Sequence, residues 1–436
     1  MEHPLQVTRT TSLRRVLGLV EVTAGGVGII IGAGIYVLLG AATAQAGPLV
    51  WAAFLGAAIL SALTGLSYAE LSSMFPSAAG EYEYTRRAMP EWLAFTVGWT
   101  MIVGLVVAAA TVSIGFAHYV GYFVNIDVRL ASLGLLLVVA VIAMSGVKRS
   151  ARLTVALSAV QVGGLVFVTA IGLPHVGDVD LFSGADVGGV LAGAALVFFA
   201  FIGFDEVITL AEETRDPTRT VPRALLIALG LSTALYVAVA IASVSVLGAG
   251  ALAASPRPLA DVMAHVLGER GATVVAAIAV LTTTNTTLLT ITAASRVVYG
   301  MARSGAMPQS FAVVHPRRGT PVRAIMAVAG IATLFAGFGR FAMIAAVTDF
   351  AVYVVFLAVN ATVIILRRTH PDVPRPFTAP GTIHGVPLVS LLGLGSVALM
   401  MTQLEPLAIT VGTAACALGV AVGWLVRSRR WRVTRR

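Results

Sequence analysis

The chain has little charge and almost no cysteine. Only 11% of its 436 residues are Asp, Glu, Lys or Arg, where soluble domains carry about a quarter. That shortfall excludes a soluble globular protein. A single cysteine, Cys416, stands in an apolar run, which rules out an intrachain disulfide and a cysteine-based metal site and leaves core packing as its role. No GxxxxGK[ST] occurs, so no ATPase module is encoded, and no HExxH occurs among seven dispersed histidines. An intramembrane metalloprotease is therefore excluded. A membrane aspartyl protease fails too, for want of a GxGD with a second helical Asp. Nor does any basic stretch with interleaved aromatics accompany the formal net charge of +9, so nucleic acid is not expected as a partner. No metal or cofactor motif is present.

What the chain does have is apolar length. Apolar residues make up 58% of it, the mean hydropathy is +0.92, and the runs are about 20 residues long, enough for a helix to cross a bilayer. This composition specifies an all-α integral membrane protein. Breaking the runs at charge clusters and at Pro or Gly predicts about twelve spans, near 18–40, 48–72, 95–124, 130–147, 154–173, 187–213, 222–248, 272–300, 322–339, 342–366, 386–403 and 406–426. Arg14 and Arg15 ahead of an apolar run, with ATA and AQA near Ala41 to Ala46, imitate a signal peptide. The run is too long for one, so a retained first helix is expected.

Charge sets the expected orientation. The odd-numbered connections hold only Arg129, Arg257, Arg270 and Arg340, and six arginines crowd the end from Arg427 to Arg436. Both termini are then cytoplasmic, in a multi-pass protein of the cytoplasmic membrane. Residues 1–17 read as a cytoplasmic segment, 18–426 as one transmembrane domain, and 427–436 as a basic cytoplasmic tail facing solvent or lipid phosphates. The 250–271 segment reads as an external loop with a short helix.

The first span contains GGVGIIIGAGIYVLLG, with six glycines from Gly25 to Gly40, although glycine costs about 1 kcal/mol against alanine in a helix. A dinucleotide loop is excluded, because the GxGxxG spacing fails and no strand precedes it. Two readings stay open. Gly28 and Gly32 form a GxxxG that lets another helix approach closely. Alternatively, the helix unwinds around Ile31-Gly32-Ala33-Gly34 and offers backbone groups to a ligand. The second reading calls for a counterpart in another repeat. Five spans on, LVFFAFIGFDEVITLAEETRDPTRTVPRAL has Gly203 at its centre, followed by Asp205 and Glu206. Two inverted repeats of five spans follow, about 18–173 and about 187–366, with extra helices over about 386–426. An unwound segment presents helix N–H groups to an anion and carbonyls to a cation. A zwitterion suits that pairing, and an amino acid is the simplest one.

At this point IIIGAGIYVLLG, YAELSSMFPSAAGEYEYTRRAM, FIGFDEVITLAEETRDPTRTVPRAL, SRVVYGMARSGAMP and LRRTHPDVPRPFTAPG resemble the amino acid–polyamine–organocation (APC) superfamily of permeases. The resemblance runs from about residue 15 to 426. It implies the LeuT-like five-plus-five inverted-repeat fold, with two discontinuous helices and two appended ones, and alternating access around a central site. Carried over, it places the substrate carboxylate on the N–H groups of Gly32, Ala33 and Gly34. The α-amino group falls at the Ile30 carbonyl and at carbonyls near Phe199, Ala200, Ile202 and Gly203. Phe201 and Phe204 are candidates for gating or side-chain packing, and Asp205 for gating or proton transfer. The proton-coupled relatives' lysine on the fifth helix, which stands in for sodium between helices one and eight, is here Gln161, which does not titrate.

Thr283 and Thr284, in the eighth span's hydroxyl cluster, suit sodium or bond their own helix. Coupling to H+ or Na+, as symporter or antiporter, stays open. Glu70, Glu212, Glu213 and Asp216 are expected to pair with Arg86, Arg87, Arg215, Arg219 and Arg296 at an inward gate or on the surface. Glu206, His118 and Asp349 are intramembrane polar groups without an assigned role. The expected function is secondary transport of amino acids, with neutral ones favoured by the aliphatic and aromatic lining. A polyamine or cationic amino acid exchanger is the alternative, ahead of a channel or an enzyme.

Overall fold

The computed structural model describes residues 17–75, 80–184, 186–208, 214–316, 318–338, 341–383 and 385–433. The N-terminal residues 1–16, Glu212 and Glu213 lie outside the described residues, as do the side chains of the basic tail. Fourteen α-helices account for most of the described chain: α1 Leu19–Ile30, α2 Gly34–Ala46, α3 Val50–Met74, α4 Gly80–Ala88, α5 Glu91–Val120, α6 Val128–Ser145, α7 Val147–Gly172, α8 Val187–Val197, α9 Pro217–Ala254, α10 Pro258–Arg303, α11 Val322–Phe338, α12 Phe341–Thr369, α13 Leu388–Met401 and α14 Pro406–Val433. A two-residue hairpin, β1 Thr382–Ile383 and β2 Val386–Pro387, joins α12 to α13.

Among the described residues, nine helical stretches are long and apolar enough to cross a membrane, and three shorter apolar helices accompany them. This is a multi-pass helical membrane protein. Only helices satisfy their own backbone groups along a single chain in hydrocarbon, and the helix ends are signalled in the sequence. Asp127 caps α6 through the N–H groups of Arg129 and Leu130, and Asp186 caps α8 through those of Gly188 and Gly189. Pro217 and Pro258 open α9 and α10, where a missing N–H costs nothing. Gly268, at φ 67°, interrupts α10, so the 250–271 segment does contain a short helix. Each expected span overlaps one or more of these helices among the described residues. The polar, amphipathic α4, GEYEYTRRA, is an addition that hydropathy does not reveal.

α5 is the central element and packs against α10, α12, α6, α14 and α11. α1 and α2 lie against α9, α7 and α8, which brings the first span alongside the sixth.

Candidate functional site

Both expected helix breaks are present. α1 ends at Ile30, residues 31–33 form a bend, and α2 starts at Gly34. In the sixth span α8 ends at Val197, a 3-10 turn covers Phe198–Phe201, Ile202 is extended at ψ 134°, and Gly203 has φ 115°. Gly203 is the site glycine whose backbone a side chain would strain. Gly32 and Gly34 do not have positive φ. They are small for want of room. A Cβ on Gly32 would lie 3.0 Å from the Thr286 hydroxyl, and one on Gly34 only 2.5 Å from the Ala200 Cα.

Gly34 serves close packing as much as Gly26 and Gly28 do. A Cβ at Gly26 meets Val207 at 2.9 Å, and one at Gly28 meets Ser158 at 2.8 Å. Two of the three N–H groups expected to receive a carboxylate have acceptors within the protein. Gly32 donates to the Ile30 carbonyl at 2.8 Å, and Ala33 donates to Thr286 Oγ1 at 3.0 Å. Thr286 was not distinguishable in sequence from its neighbours. The Thr283 and Thr284 hydroxyls donate to Ala279 and Val280 of their own helix, whereas Thr286 reaches across to the unwound segment.

Two of the carbonyls expected for an amine share one donor. The buried Tyr236 hydroxyl, on α9, lies 2.8 Å from the Ile30 carbonyl and 2.9 Å from the Ala200 carbonyl. It ties the two breaks together. Gln161 bridges the first and eighth spans: Nε2 donates to the Gly28 carbonyl at 2.7 Å and Oε1 accepts from Asn285 at 3.4 Å.

A cavity lies between the breaks. Ile30, Gly32, Ala33 and Gly34 line it from the first span, and Phe199, Ala200, Ile202, Gly203 and Glu206 from the sixth. Leu105, Ala108 and Val112 of α5 and Thr286, Leu289 and Thr290 of α10 complete the wall. Its side-chain surface is mainly aliphatic, and among the described lining residues Glu206 is the acidic one. Phe201 and Phe204 are not in the lining. Phe201 packs edge-on to Tyr236 at 5.2 Å, and Phe204 packs on Tyr68 and Phe356, so both stiffen the core beside the break.

Asp205, also fully packed, folds back to accept the Gly203 N–H at 3.0 Å. Near it Glu81 of α4 accepts a hydrogen bond from the Tyr68 hydroxyl at 2.9 Å. Burial, then the Asp205 carboxylate, push the Glu81 carboxyl up to about 7. Folding favours its neutral form, so its contribution to stability is complete below the ordinary carboxylate range and is lost as pH rises through about 7. The wild type should lose about 1 kcal/mol from this group between about pH 6 and about pH 8. Glu81→Gln keeps an acceptor for Tyr68 and removes the titration. Thermal unfolding in detergent at the two pH values should show a flatter dependence for the variant; equal slopes would refute the assignment.

The expected inward-gate pairs are arranged differently. Arg86 and Arg87 pair with Glu83, three and four residues away, and Asp216 accepts from Thr218. Glu70 is held by Arg367 and Arg375, about 300 residues on. Sequence spacing carries no signal for that pairing.

Residues 17–422 match the family described as amino acid permease. The chain is 32% identical over 395 residues to the branched-chain amino acid permease BcaP of Bacillus subtilis, covering 85% of this chain and 84% of that one. It is 28% identical over 411 residues to a methylthioribose transporter of the same organism, covering 89% and 88%. It is 30% identical over 417 residues to human cationic amino acid transporter 4, covering 87% of this chain and 64% of that one.

Proposed function

Because the chain belongs to the amino acid permease family of the APC superfamily, we propose that it is a secondary transporter carrying amino acids across the cytoplasmic membrane by alternating access. The observation that carries this reading is the meeting of two helix breaks around one cavity. Segments of both breaks line that cavity, and α5 gives it an aliphatic wall. An α-carboxylate fits the start of α2, where first-turn N–H groups have no partner four residues back in the helix. An ammonium fits the Ile30 and Ala200 carbonyls, in place of Tyr236 or beside it. Leu105, Val112, Ile202 and Leu289 favour a neutral, branched or aliphatic side chain.

The architecture we assign is two inverted repeats of five spans, about 18–173 and about 187–366, followed by two appended spans, with both termini cytoplasmic. The reading is of a carrier and not of an enzyme, driven by an ion gradient or by exchange. A cationic amino acid or polyamine exchanger is the second reading, and Glu206 in the cavity wall favours it, because a carboxylate there would meet a second ammonium.

Uptake into proteoliposomes decides between them. A panel of labelled amino acids and putrescine-like amines would be offered, with pH and sodium gradients imposed separately. Neutral aliphatic amino acids should be taken up and should compete with one another. If only the amines are transported, the first reading fails.

A further inference from the structure

Asp349 lies on α12, completely buried, and neither of its carboxyl oxygens has a hydrogen-bond partner among the described residues. A carboxylate with no donor, sealed from water, bears the full desolvation penalty of a bare charge. The position accommodates the side chain as the neutral acid.

Its placement is as informative as its isolation. One turn before it, Ala345 packs with Ala33, Ala108 and Phe199, three residues that line the cavity. One turn after it, Tyr353 donates its hydroxyl to the Ala195 carbonyl of α8 at 3.1 Å, and its ring lies 4.7 Å from Phe198. Asp349 therefore stands behind the 3-10 turn Phe198–Phe201, which presents Phe199 to the cavity and Phe198 to Tyr353. Whatever moves that turn changes both the cavity and the seal around the acid.

Of the titratable groups on α12, Tyr353 lies one turn from Asp349, and its hydroxyl is engaged by the Ala195 carbonyl. Glu70 on α3 is held by Arg367 and Arg375, Glu81 on α4 accepts from Tyr68, and Asp205 beyond the turn accepts from Gly203. His118 and Tyr119 lie at the far end of α5, and Cys416 on α14 contacts Thr100. α8 and α13 carry no titratable side chain.

We propose that Asp349 is the proton-carrying group of the transport cycle, in place of the amine that Gln161 lacks. When the protein opens to one side, water reaches the carboxylate and one proton binds to a carboxyl oxygen. The neutral acid is sealed as the turn closes over the loaded cavity. Opening to the other side hydrates it again, the O–H bond breaks, and the proton leaves to water, so that one proton crosses with each substrate. This inference rests on the transporter reading.

The test compares wild type with Asp349→Asn, the neutral isostere, in proteoliposomes. The probe is labelled leucine, or whichever panel amino acid enters fastest, with a pH-sensitive dye inside. Wild type should accumulate the probe under an acid-outside gradient while the dye reports proton entry. The variant should lose gradient-driven accumulation and proton entry, keep counterflow exchange at equal pH, and show a rate flat in external pH. Accumulation by the variant with wild-type pH dependence overturns the proposal, as does wild-type uptake without proton movement. Loss of counterflow together with accumulation makes Asp349 a folding or substrate residue and overturns it as well. A wild type that takes up no amino acid fails at the earlier reading, which separates the two.

If the variant does not reach the membrane, carbodiimide labelling of the wild type decides. An adduct on the Asp349 peptide that inhibits transport and diminishes at alkaline pH is the expected result, and absence of the adduct overturns the proposal.

Discussion

Gly34→Leu should abolish substrate binding and transport while the protein still reaches the membrane. A Cβ at Gly34 would sit 2.5 Å from the Ala200 Cα and 2.7 Å from its Cβ. Both atoms are fixed by the backbone, so no rotamer change relieves the contact, and the two breaks must part. Those two segments form facing parts of the cavity wall, so their separation destroys the site before it destroys the fold. Overpacking of this kind costs about 1–3 kcal/mol where neighbours can adjust, and here the nearest neighbour is main chain. Even Gly34→Ala should lower uptake markedly. Gly163→Ala and Gly230→Ala are the controls, since nothing lies within 4 Å of a Cβ at either position. Binding of labelled amino acid to purified protein, with membrane levels measured by immunoblot, checks the series. Normal transport by the leucine variant would mean that the breaks do not approach as described.

Glu70→Ala should be the most destabilising of the polar substitutions. The Glu70 carboxylate is fully buried and accepts from Arg367 Nε at 2.9 Å, from Arg367 Nη2 and from the Ala379 N–H at 2.9 Å, with Arg375 at 3.5 Å. Arg375 in turn donates to the Leu366 and His370 carbonyls at the end of α12. The run LRRTHPDVPRPFTAPG thus folds around two guanidinium groups, and one acid anchors both to α3. Removing the acid strands the buried side chain of Arg367 and should cost about 3–5 kcal/mol. The expected result is a large fall in the thermal unfolding midpoint in detergent and in the amount of protein recovered from membranes. An unchanged midpoint would show that this cluster contributes little.

These two residues also show how far the sequence could be read. The helices were legible because hydrocarbon thickness imposes a run of about 20 apolar residues, and the breaks because glycine and acid are costly at that depth. The reason for the glycines was not legible. Gly34 looked like a hinge, yet its constraint comes from Ala200, which lies far along the chain and has no signature of its own. The Glu70 pairing was not legible for the same reason, because Arg367 and Arg375 lie about 300 residues along and carry no spacing signal. α4 escaped for the opposite reason, being short and polar. Thr286 resembled its neighbours because a threonine that bonds its own helix and one that reaches across read alike. Asp349 was the reverse case: no partner was apparent in the sequence, and no hydrogen-bond partner is present among the described residues.

The Tyr236 hydroxyl has one proton and stands within bonding distance of two carbonyls, one on each broken helix. A newcomer at that corner is therefore a competitor. An ammonium brings three donors to acceptors that are already partly satisfied, so what it gains there is only the difference between its bonds and the phenol's. A carrier must let go as readily as it takes hold, and a resident rival for the same acceptors is a way of keeping the grip loose. On this view Tyr236 limits dwell time, and its removal should make the carrier hold on longer without making it faster.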